Sequence, residues 1–292
     1  PHRDRDFGLC SARDDPSRRR AAPETQPGGA GEARAHRDPQ GRRPSPERYA
    51  LKRRFQIGRS PRVVGTITTA SALATAARAK NPPFDIAEVR LDLVGPAARS
   101  WPTACRRIEK AGAPVLLTIR SAAEGGKWTG SEAERLRLYR RALGLVSAVD
   151  IEVRSPIFRP VVAAAHKSRR LVVGSFHNFK RTPGPAVLGK LLREARAGGA
   201  DVVKIATFVR RSPDVAVLEG LLKKSRKPLC VIGMGPRGVR SRISLARAGS
   251  CLAYGYVDRP AAPGQISCRE LKRRLEKECA RSRVSSRRAG PA

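Results

Sequence analysis

The sequence has 292 residues, room for one large domain with tails or for two small ones. Apolar residues make up 40% and aromatic residues only 4%, so a core has to rest on Val, Leu, Ile and Ala. The formal net charge of +35 is spread along the chain as arginine among Ala, Gly and Pro, with no aromatic-interleaved stripe of the kind that stacks bases; it predicts at most non-specific polyanion binding at low salt, and no run approaches the roughly 18 apolar residues of a membrane span.

Residues 1–60 lack hydrophobic periodicity and are rich in Pro, Gly and Arg, so they read as a disordered basic N-terminal extension. The sequence begins at Pro1 and its one methionine is Met234, which makes a start-site artefact a second reading of this segment. From residue 61 short β-branched runs alternate with Ala/Leu/Arg stretches of helical period. The strand-like runs are "RVVGTI" (62–67), "IAEVRLDLV" (86–94), "PVLLTIR" (114–120), "AVDIEV" (148–153), "RLVVGSF" (170–176), "DVVKIATF" (201–208), "PLCVIGM" (228–234) and "CLAYGYV" (251–257). Helix candidates such as "SEAERLRLYRRALGLV" and "PDVAVLEGLLKK" lie between them, and "CRELKRRLEKE" follows the last. Strict alternation with this count predicts an α/β protein, a (β/α)8 TIM barrel over 61–279 with a basic C-terminal tail over 280–292.

In such a barrel the reactive side chains gather at the C-terminal ends of the strands. Glu88, Arg90 and Asp92 in "EVRLD" recur at period two and are expected to share the inner face, paired with one another and with a polar ligand. An internal ion-pair layer is the other reading. The third strand ends in Arg120, with Glu124 in the "SAAEGG" that follows. "SFHNF" brings His177 to the mouth, whereas His166, between a helix and a strand, is expected on the surface.

Lys204 interrupts the apolar run of the next strand, and burying an ammonium is costly unless it is paired or neutralised. An imidazole on the neighbouring strand beside a desolvated amine suggests imine chemistry. "MGPRGVRSR" is a Gly-containing turn running into a helix that carries Arg240 and Arg242, a ready anion site. "RPAAPGQIS" either closes over the mouth and presents Gln265 or simply connects to the last helix. The six cysteines form no C-x-x-C pair and no metal spacing with histidine. With no signal-peptide pattern, reduced cytoplasmic thiols are expected.

In this order and at this spacing, "EVRLD", "TIRSAAEGG", "SFHNFKRTP", "GADVVKIA", "GMGPRGVRSR" and "APGQIS" resemble type I 3-dehydroquinate dehydratase, a Schiff-base-forming lyase of the shikimate pathway. The resemblance covers 62–278 and agrees with the barrel count. It implies that Lys204 forms an imine with the C3 ketone of 3-dehydroquinate, that His177 is the general acid/base, and that Glu124 orients it. It further implies Glu88, Arg90 and Arg120 at the ring hydroxyls, Arg242 and Gln265 at the substrate carboxylate, Ala261 in the lid and Met234 lining the site. A cytoplasmic homodimer without metal or organic cofactor comes with it, and 3-dehydroshikimate as product.

Three positions depart from the family pattern: Asn178 stands where aspartate is frequent, Ala261 where serine is, and Val89 where tryptophan is. The first is expected to alter hydrogen bonding, the second to weaken closure of the lid, and the third to change packing alone. Two other readings remain: a class I aldolase-type barrel lyase, disfavoured by His177 and the A-P-G-Q lid, and a non-catalytic, basic, nucleic-acid-associated barrel.

Overall fold

The β-branched runs become eight parallel strands in the computed structural model, which describes residues 55, 57, 58 and 61–288. The strands are β1 (Arg62–Ile67), β2 (Ile86–Arg90), β3 (Val115–Thr118), β4 (Ala148–Glu152), β5 (Leu171–Asn178), β6 (Val202–Phe208), β7 (Leu229–Met234) and β8 (Leu252–Tyr256). The helices are α1 (Ala70–Ala76), α2 (Leu91–Val94), α3 (Trp101–Lys110), α4 (Glu132–Ala142), α5 (Phe158–Lys167), α6 (Pro185–Ala197), α7 (Ser212–Lys224), α8 (Gly238–Arg247) and α9 (Cys268–Arg288). Strand order is β7-β6-β5-β4-β3-β2-β1-β8. The seam between β7 and β8 is stitched by the Cys251 N–H donating to the Leu229 carbonyl at 3.0 Å and the Val231 N–H donating to Ser250 Oγ at 3.0 Å. The fold is the expected (β/α)8 barrel.

Period-two alternation sorts each strand into two faces. Ala87, Val89, Leu117, Val149, Ile151 and Val172 pack outward under the helices, together with Trp101, Tyr139 and Phe158. The inner residues nearest the strand starts, among them Val64, Ile86, Leu116, Val173 and Val202, form a separate apolar floor. Phe176, Val203, Ile205 and Val231 pack outward in a third cluster with Leu188 and Leu218 of the helices over β5–β7. Full burial of side chains of this size is worth about 1.5–3 kcal/mol each, so the three clusters account for the closed sheet. Ile57 is buried in the floor and Phe55 packs beside it, with the Arg62 guanidinium 5.8 Å from the Phe55 ring centre.

These two residues fall within the 1–60 segment that was expected to lack structure. The open end of a barrel needs an apolar cover, and they supply it; apart from the exposed Gly58, the rest of that segment lies outside the described residues. At the other end of the chain α9 continues to Arg288, past residue 280 where the tail was expected to begin.

Carboxylates on this N-terminal face bind backbone. Asp85 accepts from the Val63 N–H at 2.8 Å, and Asp201 from the Val172 N–H at 2.8 Å. Glu109 accepts from the N–H groups of Val115 (2.8 Å) and Ser147 (2.6 Å) and from Ser147 Oγ (2.8 Å), joining the starts of β3 and β4.

One expectation fails locally. The run read as a single strand over 86–94 ends at Arg90, and Leu91–Val94 turn into α2. Asp92 therefore leaves the period that Glu88 and Arg90 share. The apolar pattern alone does not separate a continuing strand from one helical turn.

Candidate active site

Inside the barrel, side chains from the even-numbered strands meet in a layer, as alternate strands do in this architecture. Glu88 comes from β2, Asp150 from β4, Lys204 from β6 and Tyr254 from β8. The Lys204 ammonium lies 2.6 Å from Asp150 Oδ2, 3.9 Å from Glu88 Oε1 and 4.7 Å from the centre of the Tyr254 ring. Lys204 is 3% exposed, so it does not snorkel to solvent. A carboxylate two strands away holds it.

The partners of Asp150 and Glu88 are themselves fixed. Arg120 Nη2 and Ser175 Oγ each donate to Asp150 Oδ1 at 2.6 Å, and Arg120 Nη1 donates to Glu152 Oε1 at 3.0 Å and to Ser175 Oγ at 2.7 Å. Glu152 also pairs with Arg135 of α4 and accepts from the Ser121 N–H at 2.9 Å. Thr66 and Thr118 hydroxyls donate to the two oxygens of Glu88, each at 2.9 Å. Buried charges persist only when paired and hydrogen-bonded, and Lys204, Arg120 and Arg135 meet Glu88, Asp150 and Glu152 on those terms. Burial alone would raise the Asp150 carboxyl, but Arg120 and Lys204 overcome it and hold the group well below the usual carboxylate range.

One layer nearer the mouth, His177 faces Glu124, which a short 3-10 turn (Ala122–Glu124) brings back over the strand ends. Glu124 Oε2 lies 2.9 Å from His177 Nδ1 and accepts from the His177 backbone N–H at 2.9 Å. The turn is tight: Gly125 has φ +78°, and a Cβ on Gly126 would stand 2.0 Å from the Arg120 carbonyl oxygen. Burial, followed by the positive charges of Arg120 and Lys204, pushes the His177 imidazole well below its ordinary value, so it is neutral at pH 7. Burial also raises the Glu124 carboxyl to about 7. With Nδ1 committed to Glu124, Nε2 is the ring nitrogen left for a ligand.

Arg90 Nε and Nη2 form a fork on Asp92 at 2.9 and 2.8 Å, so Asp92 aims the guanidinium from its place on α2. Across the mouth, Gln265 Oε1 accepts from the Ala261 N–H at 2.8 Å while its Nε2 donates to Thr66 Oγ1 at 3.2 Å. Arg242 Nε donates to the Gly264 carbonyl at 2.8 Å and Nη1 to the Tyr254 carbonyl at 3.2 Å, but Nη2 is buried without a hydrogen-bond partner among the described residues. Burial lowers the Arg242 guanidinium to about 10, which still leaves it charged at neutral pH. A buried cationic donor with no acceptor is a socket for an anion.

Lys204, His177, Glu124, Glu88, Arg90, Arg120, Met234, Arg242, Gln265 and Ala261 all line one cleft of about 520 Å³ that includes space open to solvent. Arg240 does not line it and is exposed. His166 is a surface residue, 3.1 Å from Asp201.

A family model for type I 3-dehydroquinase matches residues 63–278. The chain belongs to that family, whose members are hydro-lyases. The 3-dehydroquinate dehydratase of Methanocella arvoryzae is 33% identical over 216 residues, covering 72% of this chain and 94% of that protein. The enzyme of the same name from Methanosarcina barkeri is 37% identical over 206 residues, covering 66% and 84%. Among solved structures, 3-dehydroquinate dehydratase from Geobacillus kaustophilus is similar at a TM-score of 0.68 and 26% identity, covering 75% of this chain and 91% of that one. The type I enzyme from Clostridium difficile, solved with covalently modified comenic acid, reaches 0.67 and 28%, covering 74% and 91%.

The departures from the family pattern have local answers. Asn178 Oδ1 accepts from the N–H groups of Lys180 and Arg181, each at 3.0 Å, and so turns the chain after β5. Ala261 still anchors Gln265 through its backbone, and Val89 is buried on the outer face.

Sequence reasoning missed Asp150, Glu152, Ser175 and Tyr254. The first two stood in plain sight in "AVDIEV", two acids at period two inside an apolar run, the same signal that marked Lys204. Among the described residues no cluster of three or more His, Cys, Asp or Glu is arranged around a metal position, and no helix is long and apolar enough to cross a membrane. Cys105, Cys230, Cys251 and Cys268 are free and buried.

Proposed function

We propose that this cleft converts 3-dehydroquinate to 3-dehydroshikimate and water through an imine on Lys204, with His177 as the proton carrier. The observation that carries this reading is a buried amine held at 2.6 Å by Asp150 in the same cleft as a neutral imidazole held at 2.9 Å by Glu124. The amine, once deprotonated, attacks the C3 carbonyl, and loss of that oxygen as water gives a protonated imine. His177 Nε2 then takes the C2 proton, and the electron pair of the C–H bond moves into the C–N system as an enamine. Collapse of the enamine expels the C1 hydroxyl, which receives the proton from His177 and leaves as water. Hydrolysis of the product imine frees Lys204.

In this scheme Arg242 Nη2 and Gln265 receive the substrate carboxylate, and Glu88 and Arg90 the ring hydroxyls. The Arg120 forks already serve Asp150, Glu152 and Ser175. Its contribution is charge, which helps to keep His177 neutral. The homodimer and the cytoplasmic location belong to the same proposal, and sedimentation equilibrium reads the first.

Borohydride reduction during turnover tests the mechanism. A mass increment is expected on Lys204, with Lys204→Ala giving neither adduct nor enone product. An active enzyme whose Lys204 stays unmodified would overturn the scheme.

A further inference from the structure

Lys204 has a third neighbour that the scheme above does not use. Tyr254 sits in the middle of β8, is 6% exposed, and presents its ring to the Lys204 ammonium at 4.7 Å from the centroid. Asp150 holds the same nitrogen from another direction at 2.6 Å. A carboxylate fixes a nitrogen through its N–H donors, and those fall from three in an ammonium to one in a protonated imine. An aromatic face needs no donor: it attracts the charge and bounds the space whichever form the nitrogen takes.

Backbone contacts hold β8 in place, and packing holds the Tyr254 ring. It belongs to the apolar floor with Val64, Ile86, Cys230 and Leu252. Its backbone carbonyl accepts from Arg242 Nη1 at 3.2 Å, and a Cβ on the following Gly255 would stand 2.5 Å from Cys268 Cα, so β8 is seated directly on the start of α9. The phenol hydroxyl, by contrast, is buried with no hydrogen-bond partner among the described residues. The ring is thus fully supported and the hydroxyl is not, which separates the two parts of the side chain for experiment.

We propose that Tyr254 is a positioning residue for the imine-forming step: its ring face walls off the floor side of the Lys204 nitrogen and directs its lone pair toward the cleft. This rests on the imine reading of Lys204. Misplacing a reacting atom by about 1 Å costs up to roughly a hundredfold in rate, so loss of the wall slows adduct formation without emptying the site of its substrate contacts.

The test compares Tyr254→Phe, Tyr254→Leu and Tyr254→Met with the parent protein. Three quantities are read: the rate of the borohydride-trapped adduct with 3-dehydroquinate, the dissociation constant of the 3-hydroxy analogue that cannot form an imine, and Tm. Tyr254→Phe keeps the ring and is expected to trap within about threefold of the parent, at an equal or higher Tm because a buried unpaired hydroxyl has gone. Tyr254→Leu and Tyr254→Met are expected to trap about 10- to 100-fold more slowly while binding the analogue within about threefold.

Three results would overturn the proposal. One is parent-like trapping in a folded Leu or Met variant. Another is a Phe variant as slow as the aliphatic ones, which would give the role to the hydroxyl. The third is loss of analogue binding in step with trapping, the mark of a merely structural residue. Absence of any Lys204 adduct in the parent would instead refute the imine reading itself, so the two failures are distinguishable.

Discussion

Glu109 and Glu124 are both glutamates whose carboxyl groups burial pushes up, and they lie at opposite ends of the barrel. Glu109, at the C-terminal end of α3, spends its oxygens on the Val115 and Ser147 N–H groups and the Ser147 hydroxyl. None of those donors can change protonation near neutral pH, so the carboxylate acts as a clamp between two strand starts. Glu124 spends one oxygen on the His177 N–H and on His177 Nδ1, and the second of these partners titrates. The same residue type under the same desolvation therefore holds a fold at one end and sets a protonation state at the other. The nature of the donor decides which, in keeping with a fold whose chemistry gathers at the strand C-termini.

The largest expected effect comes from pH at the mouth. When Glu124 is ionised it accepts from Nδ1–H, leaving Nε2 with a lone pair for the substrate proton. When Glu124 is protonated it donates to Nδ1, the ring proton moves to Nε2, and the base disappears. The pair titrates as a unit near the Glu124 value of about 7. kcat/KM is thus expected to fall about tenfold per pH unit below 7, close to a hundredfold by pH 5. A flat profile between pH 5 and pH 7 would remove Glu124 from control of the imidazole.

The floor gives the next effect, on stability alone. Glu109→Leu keeps much of the bulk but leaves the N–H groups of Val115 and Ser147 and the Ser147 hydroxyl without their acceptor. Leaving buried groups unsatisfied costs about 1–3 kcal/mol. Urea unfolding should show that loss, while kcat per folded molecule stays at the parent value. A Glu109 variant with parent stability and impaired turnover would erase the distinction between the two ends.

That distinction was only half legible in the sequence. All eight strands were, because β-branched runs at period two survive any change of surface, and so were the ten cleft residues carried by local motifs. Asp92 was misplaced because "LDLV" suits a strand and a helical turn equally well. Asp150 carried a readable signal as an acid inside an apolar run, but its partner Lys204 is remote in sequence; Tyr254 carried none, because a tyrosine in a strand reads as core. The floor clamps were not readable at all. Asp85, Glu109 and Asp201 sit in loops or at a helix end, where any acid is ordinary, and their backbone partners exist only once the strand starts are side by side.

The smallest effect is the most discriminating, because it concerns proton counting within the dyad. Glu124 goes from an ordinary value of 4.5 to about 7 on folding, while His177 drops well below 6.5. The raised carboxyl taken alone contributes stability below pH 4.5 that is lost as pH rises through 7. The depressed imidazole taken alone contributes stability above pH 6.5 that is lost as pH falls. Between 4.5 and 6.5 the unfolded chain carries one proton on histidine and none on glutamate, whereas the folded dyad carries its one extra proton on Glu124. The counts match, so the linkage slope from this pair is zero there. Glu124→Gln removes the compensating site and leaves only the imidazole. Its stability should then rise with pH by up to about 1.4 kcal/mol per unit across that window, relative to the parent. Urea midpoints at pH 5, 5.5, 6 and 6.5 read the difference; parallel curves for parent and variant would mean that Glu124 and His177 do not share a proton, and that the mouth carboxylate is a clamp like the one on the floor.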